Sequence, residues 1–165
     1  MIEYELMFVI DPVDDDTEQT LIEELGGFIG GHGRTALLTV SFEDTNAVAA
    51  AQAAVTGLRQ HGVRVRRVYD DLVTRAQIAE RTDMTRQAVG LWVRRERQTE
   101  RPFPEPFVLT GGGLWRWDEV NTWLRDARLP HDDVRHLSAG EVARVNVWIA
   151  DRASNVALVG GRAGA

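Results

Sequence analysis

Residues 74–93, TRAQIAERTDMTRQAVGLWV, constrain the fold more than any other stretch of this chain. They predict two short helices packed across a tight turn, because Thr74 and Thr85 are each suited to cap the helix that follows. Four apolar residues would then face inward from the two helices: Ile78, Ala79, Val89 and Trp92. The stretch therefore predicts a compact helical pair with one buried side.

The turn between these two helices has an uncommon residue at its centre. Asp83 stands where glycine is usual, and Asp enters the left-handed backbone region more readily than most residues. Ala79 is small enough for the helices to cross closely at that point, and Met84 supplies a further apolar anchor. This spacing is that of a helix-turn-helix.

The outer face of the second helix carries residues suited to base edges and phosphates: Arg86, Gln87, Gly90, Arg94 and Arg95. Arginine can pair bidentately with guanine and glutamine with adenine in the major groove of DNA. An ordinary helical hairpin with solvated arginines has the same spacing, because the pattern is degenerate. Both interpretations stay open on these residues alone.

A β-hairpin is predicted shortly after the two helices. Residues 107–110 and 114–117 read as its strands, and the glycines at 111–113 read as its turn. Asp118 is then predicted to cap a further helix. A hairpin in this place is a wing, which could carry Arg116 and the glycine amides toward a phosphate or a minor groove.

The run IAERTDMTRQAVGLWVRRER, followed by FPEPF and LWRWDEVNTWL, resembles the winged helix-turn-helix of excisionase-like and MerR-like DNA-binding domains. It is most similar to a type common in actinobacterial regulators, in which a small ferredoxin-like domain precedes the winged domain. The resemblance covers residues 72–130 well and the N-terminal part more loosely. It implies DNA binding without catalysis, and core or wing positions for Trp115 and Trp117. It also implies DNA-facing positions for five residues: Thr85, Arg86, Gln87, Arg94 and Arg95.

The N-terminal part predicts a separate α+β domain. Its first residues alternate apolar and polar side chains in the period of a β-strand, with Ile2, Tyr4, Leu6, Phe8 and Ile10 on one face. Periodicities further along give the order βαββαβ, which is that of a ferredoxin-like fold. We therefore expect a ferredoxin-like domain at residues 1–71, a winged helix-turn-helix domain at 72–130, and a C-terminal helix with a mobile tail at 131–165.

The C-terminal segment predicts one amphipathic helix. Ser138 and Glu141 match a capping box, and the helix is expected to run to Arg152 before a mobile tail at 153–165. Its apolar stripe consists of Val142, Val145, Trp148 and Ile149. That stripe could pack on its own chain, or pair with a second subunit or another protein.

The net charge of −6 is distributed unevenly. Residues 1–71 hold 13 acidic and 5 basic residues, whereas residues 72–130 hold 8 acidic and 10 basic. The arginines cluster between positions 86 and 101, and Arg97 extends the set expected to contact DNA. Because this basic footprint is small, we expect a homodimer, through the N-terminal domain or the C-terminal helix, or a protein partner.

Several classes of function have little support in the sequence. The chain has no cysteine, and it carries no recognisable nucleophile or phosphate-cradling motif, so we expect no catalysis and no cofactor. The one metal-like set is too common in polar loops to predict a metal: His131, Asp132, Asp133 and His136. No stretch is long and apolar enough for a bilayer, and no basic leader opens the chain, so a cytoplasmic location without membrane contact is expected. All 19 basic residues are arginine, which is typical of a bacterial genome rich in G and C.

Two functions of different classes follow from these patterns. The first is a sequence-specific double-stranded DNA-binding protein, a transcriptional regulator whose second helix enters the major groove while the wing contacts the backbone. The second is a protein-interaction adaptor with a winged-helix fold and little DNA affinity. The arginines of the second helix distinguish them, since only the first function needs these side chains to meet DNA.

Overall fold

A computed structural model describes residues 1–98 and 100–160, which form a mixed α+β protein. The α+β class predicted from the sequence is therefore confirmed. The chain divides into two compact units, one made of Met1–Tyr69 with the segment from Val134 onward, the other of Asp70–Asp133. The second unit is thus inserted in the sequence of the first. The expected division at residues 71 and 130 placed the C-terminal helix in a segment of its own, whereas its contacts assign it to the first unit.

The elements follow one another along the chain in this order: β1 (Ile2–Ile10), α1 (Asp15–Leu25), β2 (Phe28–His32), β3 (Thr35–Asp44), α2 (Ala47–Gln60), β4 (Val65–Val68), β5 (Leu72–Val73), α3 (Arg75–Arg81), α4 (Arg86–Val93), a 3₁₀ turn (Thr110–Gly112), β6 (Trp115–Arg116), α5 (Trp117–Asp126) and α6 (Ala139–Gly160). Side-chain caps mark several of the helix starts. Asn46 accepts a hydrogen bond from the N–H of Ala49 at the start of α2. Gly26 ends α1 in the left-handed conformation, with φ of 58°.

The sheet of the first unit is antiparallel, with strand order β2-β3-β1-β4. β1 lies between β3 and β4 in this sheet. Directly opposed residues share a face of a sheet, so the pair Leu6 and Val40 marks the buried face. Thr39 lies opposite Met7 of β1 and opposite Phe28 of β2, so these three residues share the other face of the sheet. Phe28 is 72% exposed there.

The core of the first unit lies between the buried face of the sheet and its helices. Within α6, Val142, Val145 and Ile149 are buried in this core. Of the alternatives left open by the sequence, packing of this stripe on its own chain is therefore the one observed. The Asn146 side chain also accepts from the backbone N–H of Val68 at 2.7 Å, which satisfies a donor on the outer edge of β4.

The start of α6 is predicted correctly and its end is not. Ser138 and Glu141 form the expected capping box, with the Ser138 N–H donating to Glu141 at 2.8 Å. The helix continues past Arg152 to Gly160. No proline or glycine interrupts residues 153–159, so nothing local stops the helix earlier. The remainder of the expected tail, 161–165, lies outside the described residues.

The chain re-enters the first unit beside β1. The N–H of Arg135 donates to Glu3 O at 2.9 Å, and the N–H of Glu5 donates to Arg135 O at 2.9 Å. These bonds form a short parallel bridge at Tyr4. The segment that follows the inserted unit therefore extends the sheet of the first unit along β1, beyond the part of β1 that β4 pairs with.

The inserted unit packs α3, α4 and α5 around an aromatic core that includes Trp92, Phe103, Trp115, Trp117 and Trp123. The predicted hairpin is only partly formed. It is reduced to a single bridge between Val108 and Leu114, because β6 pairs with the distant β5 instead. α5 begins at Trp117, so Asp118 lies in its first turn and does not cap it. The predicted second strand of the hairpin therefore forms β6, which belongs to a two-stranded sheet with β5.

Candidate nucleic-acid interface

The candidate site is built on α3 and α4, whose ends are fixed by side-chain caps. Thr74 and Gln77 form a reciprocal capping box, with distances of 2.9 and 3.2 Å. Thr85 caps α4 by accepting from the N–H of Ala88 at 3.1 Å. Both caps are those that the sequence predicts. Thr85 is exposed, at a position expected to face DNA, and its hydroxyl serves as the cap of α4.

The turn between α3 and α4 sets the crossing of the two helices. Asp83 has φ of 51°, the left-handed conformation expected of a residue in glycine's usual place. Thr82 is buried, and its hydroxyl donates to Ile78 O at 2.7 Å. Ile78 and Ala79, which lie in α3 just before this turn, are also buried. The inner faces of the two helices are therefore anchored as predicted.

Arg86 and Gln87 lie exposed in the first turn of α4. Within residues 1–98 and 100–160, neither side chain forms a hydrogen bond or an ion pair. Their guanidinium and amide groups are the ones that match guanine and adenine edges. The first turn of α4 therefore presents free donors and acceptors to solvent.

Arg94 and Arg95, at the other end of α4, are already paired. The Nε of Arg94 donates to Glu96 at 2.9 Å, and Arg95 donates to Glu105. The hydrogen bond with Glu96 raises the pKa of Arg94, and the same bond holds the pKa of Glu96 below its usual value. Arg97 is exposed as expected. The positive charge of this end of α4 is thus partly neutralised by carboxylates of the same unit.

Gly90 is covered, although the sequence predicts it on the outer face of α4 beside Arg86 and Arg94. Gly90 is buried, and a Cβ placed on it would lie 3.2 Å from the Nη1 atom of Arg94. The long Arg94 side chain folds back along the helix and covers this position. Because Gly90 has no side chain, the Arg94 side chain has room to pack against the helix at this position.

Arg116 is also misplaced by the sequence prediction. Its residue surface is 4% exposed, and its guanidinium is paired with Asp70 and with Asp118, the latter at 3.0 Å. A strand residue opposite β5 points into the unit, where an arginine is tolerated because carboxylates surround it. Arg116 is therefore buried in ion pairs of its own unit, whereas the sequence predicts it on an exposed wing.

Three consecutive glycines form a loop, here called the glycine loop, where the sequence predicts the tip of the wing. Gly111, Gly112 and Gly113 have φ of 67°, 86° and 95°, which favour glycine. At Gly113 a Cβ would also lie 2.7 Å from the Trp115 ring. The close approach of the loop to Trp115 therefore requires glycine for two independent reasons.

A cleft of about 340 Å³ lies between this glycine loop and the starts of α3 and α4. Arg75 and Arg86 line it together with the loop glycines. A Cβ on Gly112 would lie 3.5 Å from the Nη2 atom of Arg75. Sequence reasoning missed Arg75, because its neighbour in the fold lies more than thirty residues away along the chain. The cleft brings two guanidinium groups and a run of backbone amides to one place.

The histidine and aspartate set considered for a metal has other contacts. Asp132 accepts from the Trp117 indole at 2.7 Å, and its backbone is held by Asn121. Among the described residues, no group of three potential ligands is close enough to hold a metal ion.

Within residues 1–98 and 100–160, no helix has the length and apolar character needed to cross a membrane.

No family model, no curated protein and no solved structure matches this chain.

Proposed function

We propose that this chain is a sequence-specific double-stranded DNA-binding protein of the winged helix-turn-helix type, acting as a transcriptional regulator. The observation that carries the proposal is the position of Arg86. It is exposed in the first turn of α4 beside Gln87, and it shares a cleft with Arg75 and the glycine loop. Base-reading groups and phosphate-binding groups thus lie side by side. On a bacterial chromosome such a protein would act in the cytoplasm.

In the proposed complex, the first turn of α4 enters the major groove. Arg86 and Gln87 would contact base edges, whereas Arg75 and the amides of the glycine loop would hold the backbone. Arg94, Arg95 and Arg97 would lie closer to the phosphates, with Glu96 and Glu105 displaced from the first two. Thr85 would act through the cap that orients the first turn.

The first unit supports the proposal as a ferredoxin-like pairing domain. Its strand order β2-β3-β1-β4 and its helices packed against the buried face of the sheet support this assignment. The apolar stripe of α6 is used within this unit, so we assign homodimer formation to the N-terminal strands and not to α6. The exposed Phe28 ring lies on the sheet face opposite the helices. Phe28→Asp should then convert a dimer into a monomer in sedimentation equilibrium.

A direct test of the proposed function compares single base-pair changes in a bound duplex. Arg86→Ala or Gln87→Ala should cost about 1 to 3 kcal/mol on the preferred site and relax preference at one position. Arg75→Ala should weaken binding to all sequences similarly and reduce the salt slope by about 1. Arg144→Ala is the matched control, since Arg144 is an exposed arginine of the first unit. Equal binding by all four variants would contradict the proposal.

The second candidate is a protein-interaction adaptor with little DNA affinity. The charge of the inserted unit favours it, because residues 70–133 hold 12 acidic and 10 basic residues, and Arg94 and Arg95 are paired with carboxylates. An adaptor would bind its partner equally well after Arg86→Ala and Gln87→Ala. A DNA-binding protein would lose sequence preference with the same changes.

A further inference from the structure

Two large apolar side chains are exposed next to the glycine loop. Leu109 is 81% exposed and Phe107 is 55% exposed. A single exposed apolar residue is ordinary on a protein surface. Here two such residues lie in one short loop beside the cleft lined by Arg75 and Arg86, which indicates a surface that contacts a partner.

The backbone holds this loop in a defined shape. The N–H groups of Phe107 and Val108 both donate to Leu114 O, at 2.8 and 3.1 Å, and the N–H of Leu114 donates back to Val108 O at 2.9 Å. Gly113 donates to Thr110 O at 3.2 Å inside that closure. Leu109 is the first residue after the bridge, so its side chain is presented at the base of a closed turn. Its exposure is therefore a property of the folded loop.

The charge around Leu109 indicates the partner. Leu109 lines a second cleft, of about 400 Å³, with Arg75 and with the ion pair of Arg95 and Glu105. An apolar protein surface placed there would have to strip water from the Arg75 guanidinium without replacing it. A DNA duplex offers phosphates on the outside and stacked apolar bases within reach of a groove.

We propose that Leu109 is an apolar wedge that inserts at a base-pair step and kinks the bound duplex. The inference rests on the proposed function, since it needs the duplex to be held by Arg75 and Arg86. Apolar side chains inserted from a groove partly unstack one step and bend the helix axis, while flanking cations hold the backbone. Bending would add specificity for sequences that contain an easily deformed step.

The test measures DNA shape and affinity separately. A duplex selected from a random pool is labelled at both ends for energy transfer and carries 2-aminopurine at successive steps. The wild-type protein should shorten the end-to-end distance and brighten 2-aminopurine at one step, and Leu109→Ala should lose both effects. Leu109→Met should retain them, because a long apolar side chain remains. Val147→Ala is the matched control, since Val147 is an exposed aliphatic residue of α6.

A gapped duplex sharpens the comparison. The wild-type protein should prefer a duplex with a one-nucleotide gap at the kinked step by about tenfold, because part of the deformation is already present. Leu109→Ala should show no such preference. Bending that is unchanged in Leu109→Ala, or a straight duplex with the wild-type protein, would overturn the wedge and leave DNA binding intact. Failure of the wild-type protein to bind any duplex would overturn both proposals.

Discussion

The Nε atom of Arg94 donates to the carboxylate of Glu96 at 2.9 Å, so the cation at the end of α4 is paired within its own chain. In a DNA complex this carboxylate would compete with a phosphate for the same guanidinium. The pair lies on the surface, where an ion pair contributes little to stability. Its main consequence is therefore a reduction in the positive charge offered to a partner.

Glu96→Gln should strengthen duplex binding, because it frees Arg94 for a phosphate. The affinity should rise about threefold to tenfold at low salt, and the slope of log affinity against log salt should steepen by about 0.9. Fluorescence anisotropy at several salt concentrations measures both. Glu80→Gln makes the same change of charge at an exposed residue of α3 and should have a smaller effect. An equal gain with both variants would show that only net charge matters.

The same pair predicts how binding responds to acid. Its hydrogen bond to Arg94 holds the pKa of Glu96 below the ordinary value of 4.5, so Glu96 stays ionised and the pair persists as the pH falls to about 5. The pair is lost only as the pH drops through the lowered pKa. The ratio of Glu96→Gln affinity to wild-type affinity should therefore stay constant between about pH 7 and 5. A ratio that collapses toward one in this interval would contradict the assignment.

Arg116→Ala should destabilise the inserted unit by about 3 to 5 kcal/mol, because it removes the buried cation that pairs with both Asp70 and Asp118. Urea unfolding followed by tryptophan fluorescence measures the change. Arg101→Ala removes an exposed arginine of the same unit and should change the free energy of unfolding by less than about 0.5 kcal/mol. A comparable loss in both variants would argue against the structural role of Arg116.

Gly113→Ala and Gly111→Ala separate steric exclusion from backbone conformation. Both glycines have positive φ, but only a Cβ on Gly113 would meet Trp115, at 2.7 Å. Gly111→Ala should cost about 1 kcal/mol, and Gly113→Ala about 3 kcal/mol, with weaker duplex binding as the loop shifts. Thermal unfolding of the two variants checks the order. Equal destabilisation would place the requirement in φ alone.

Thr85 allows folding to be separated from binding. Thr85→Ala should cost about 1 kcal/mol through the lost cap of α4, and Thr85→Ser should retain the cap. Thr85→Asp should keep the stability, because Asp caps well and favours a helix N-terminus, yet it should weaken duplex binding by placing a carboxylate near the phosphates. Wild-type affinity in Thr85→Asp would exclude the first turn of α4 from the interface.

The features that the sequence predicted are those with local causes. The caps at Thr74 and Thr85 and the left-handed Asp83 each depend on residues within a few positions, and all three are found in the structure. The strand alternation of β1 is likewise visible along the chain, because one face of a strand is buried. Local patterns were therefore sufficient for the caps of α3 and α4, the turn between them and the order of elements from β1 to β4.

The features that the sequence missed depend on distant partners. One of the two carboxylate partners of Arg116, Asp70, lies 46 residues earlier, and the neighbouring Asp118 alone did not indicate that the arginine is buried. Arg75 gained its place in the cleft from the glycine loop, and the return of Arg135 to β1 depends on a strand at the other end of the chain. Such contacts leave no periodic signal in the residues around them. They decided which arginines are free and where the inserted unit begins and ends.

Selection from a pool of random-sequence duplexes, sequenced after binding at two salt concentrations, tests the central claim most directly. The account predicts enrichment of a defined motif by the wild-type protein, loss of preference at one position with Arg86→Ala, and an unchanged motif with the control Arg144→Ala. Two-fold symmetry in the motif would support the homodimer. No enrichment, together with binding that does not respond to salt, would contradict the account and favour the protein-interaction adaptor.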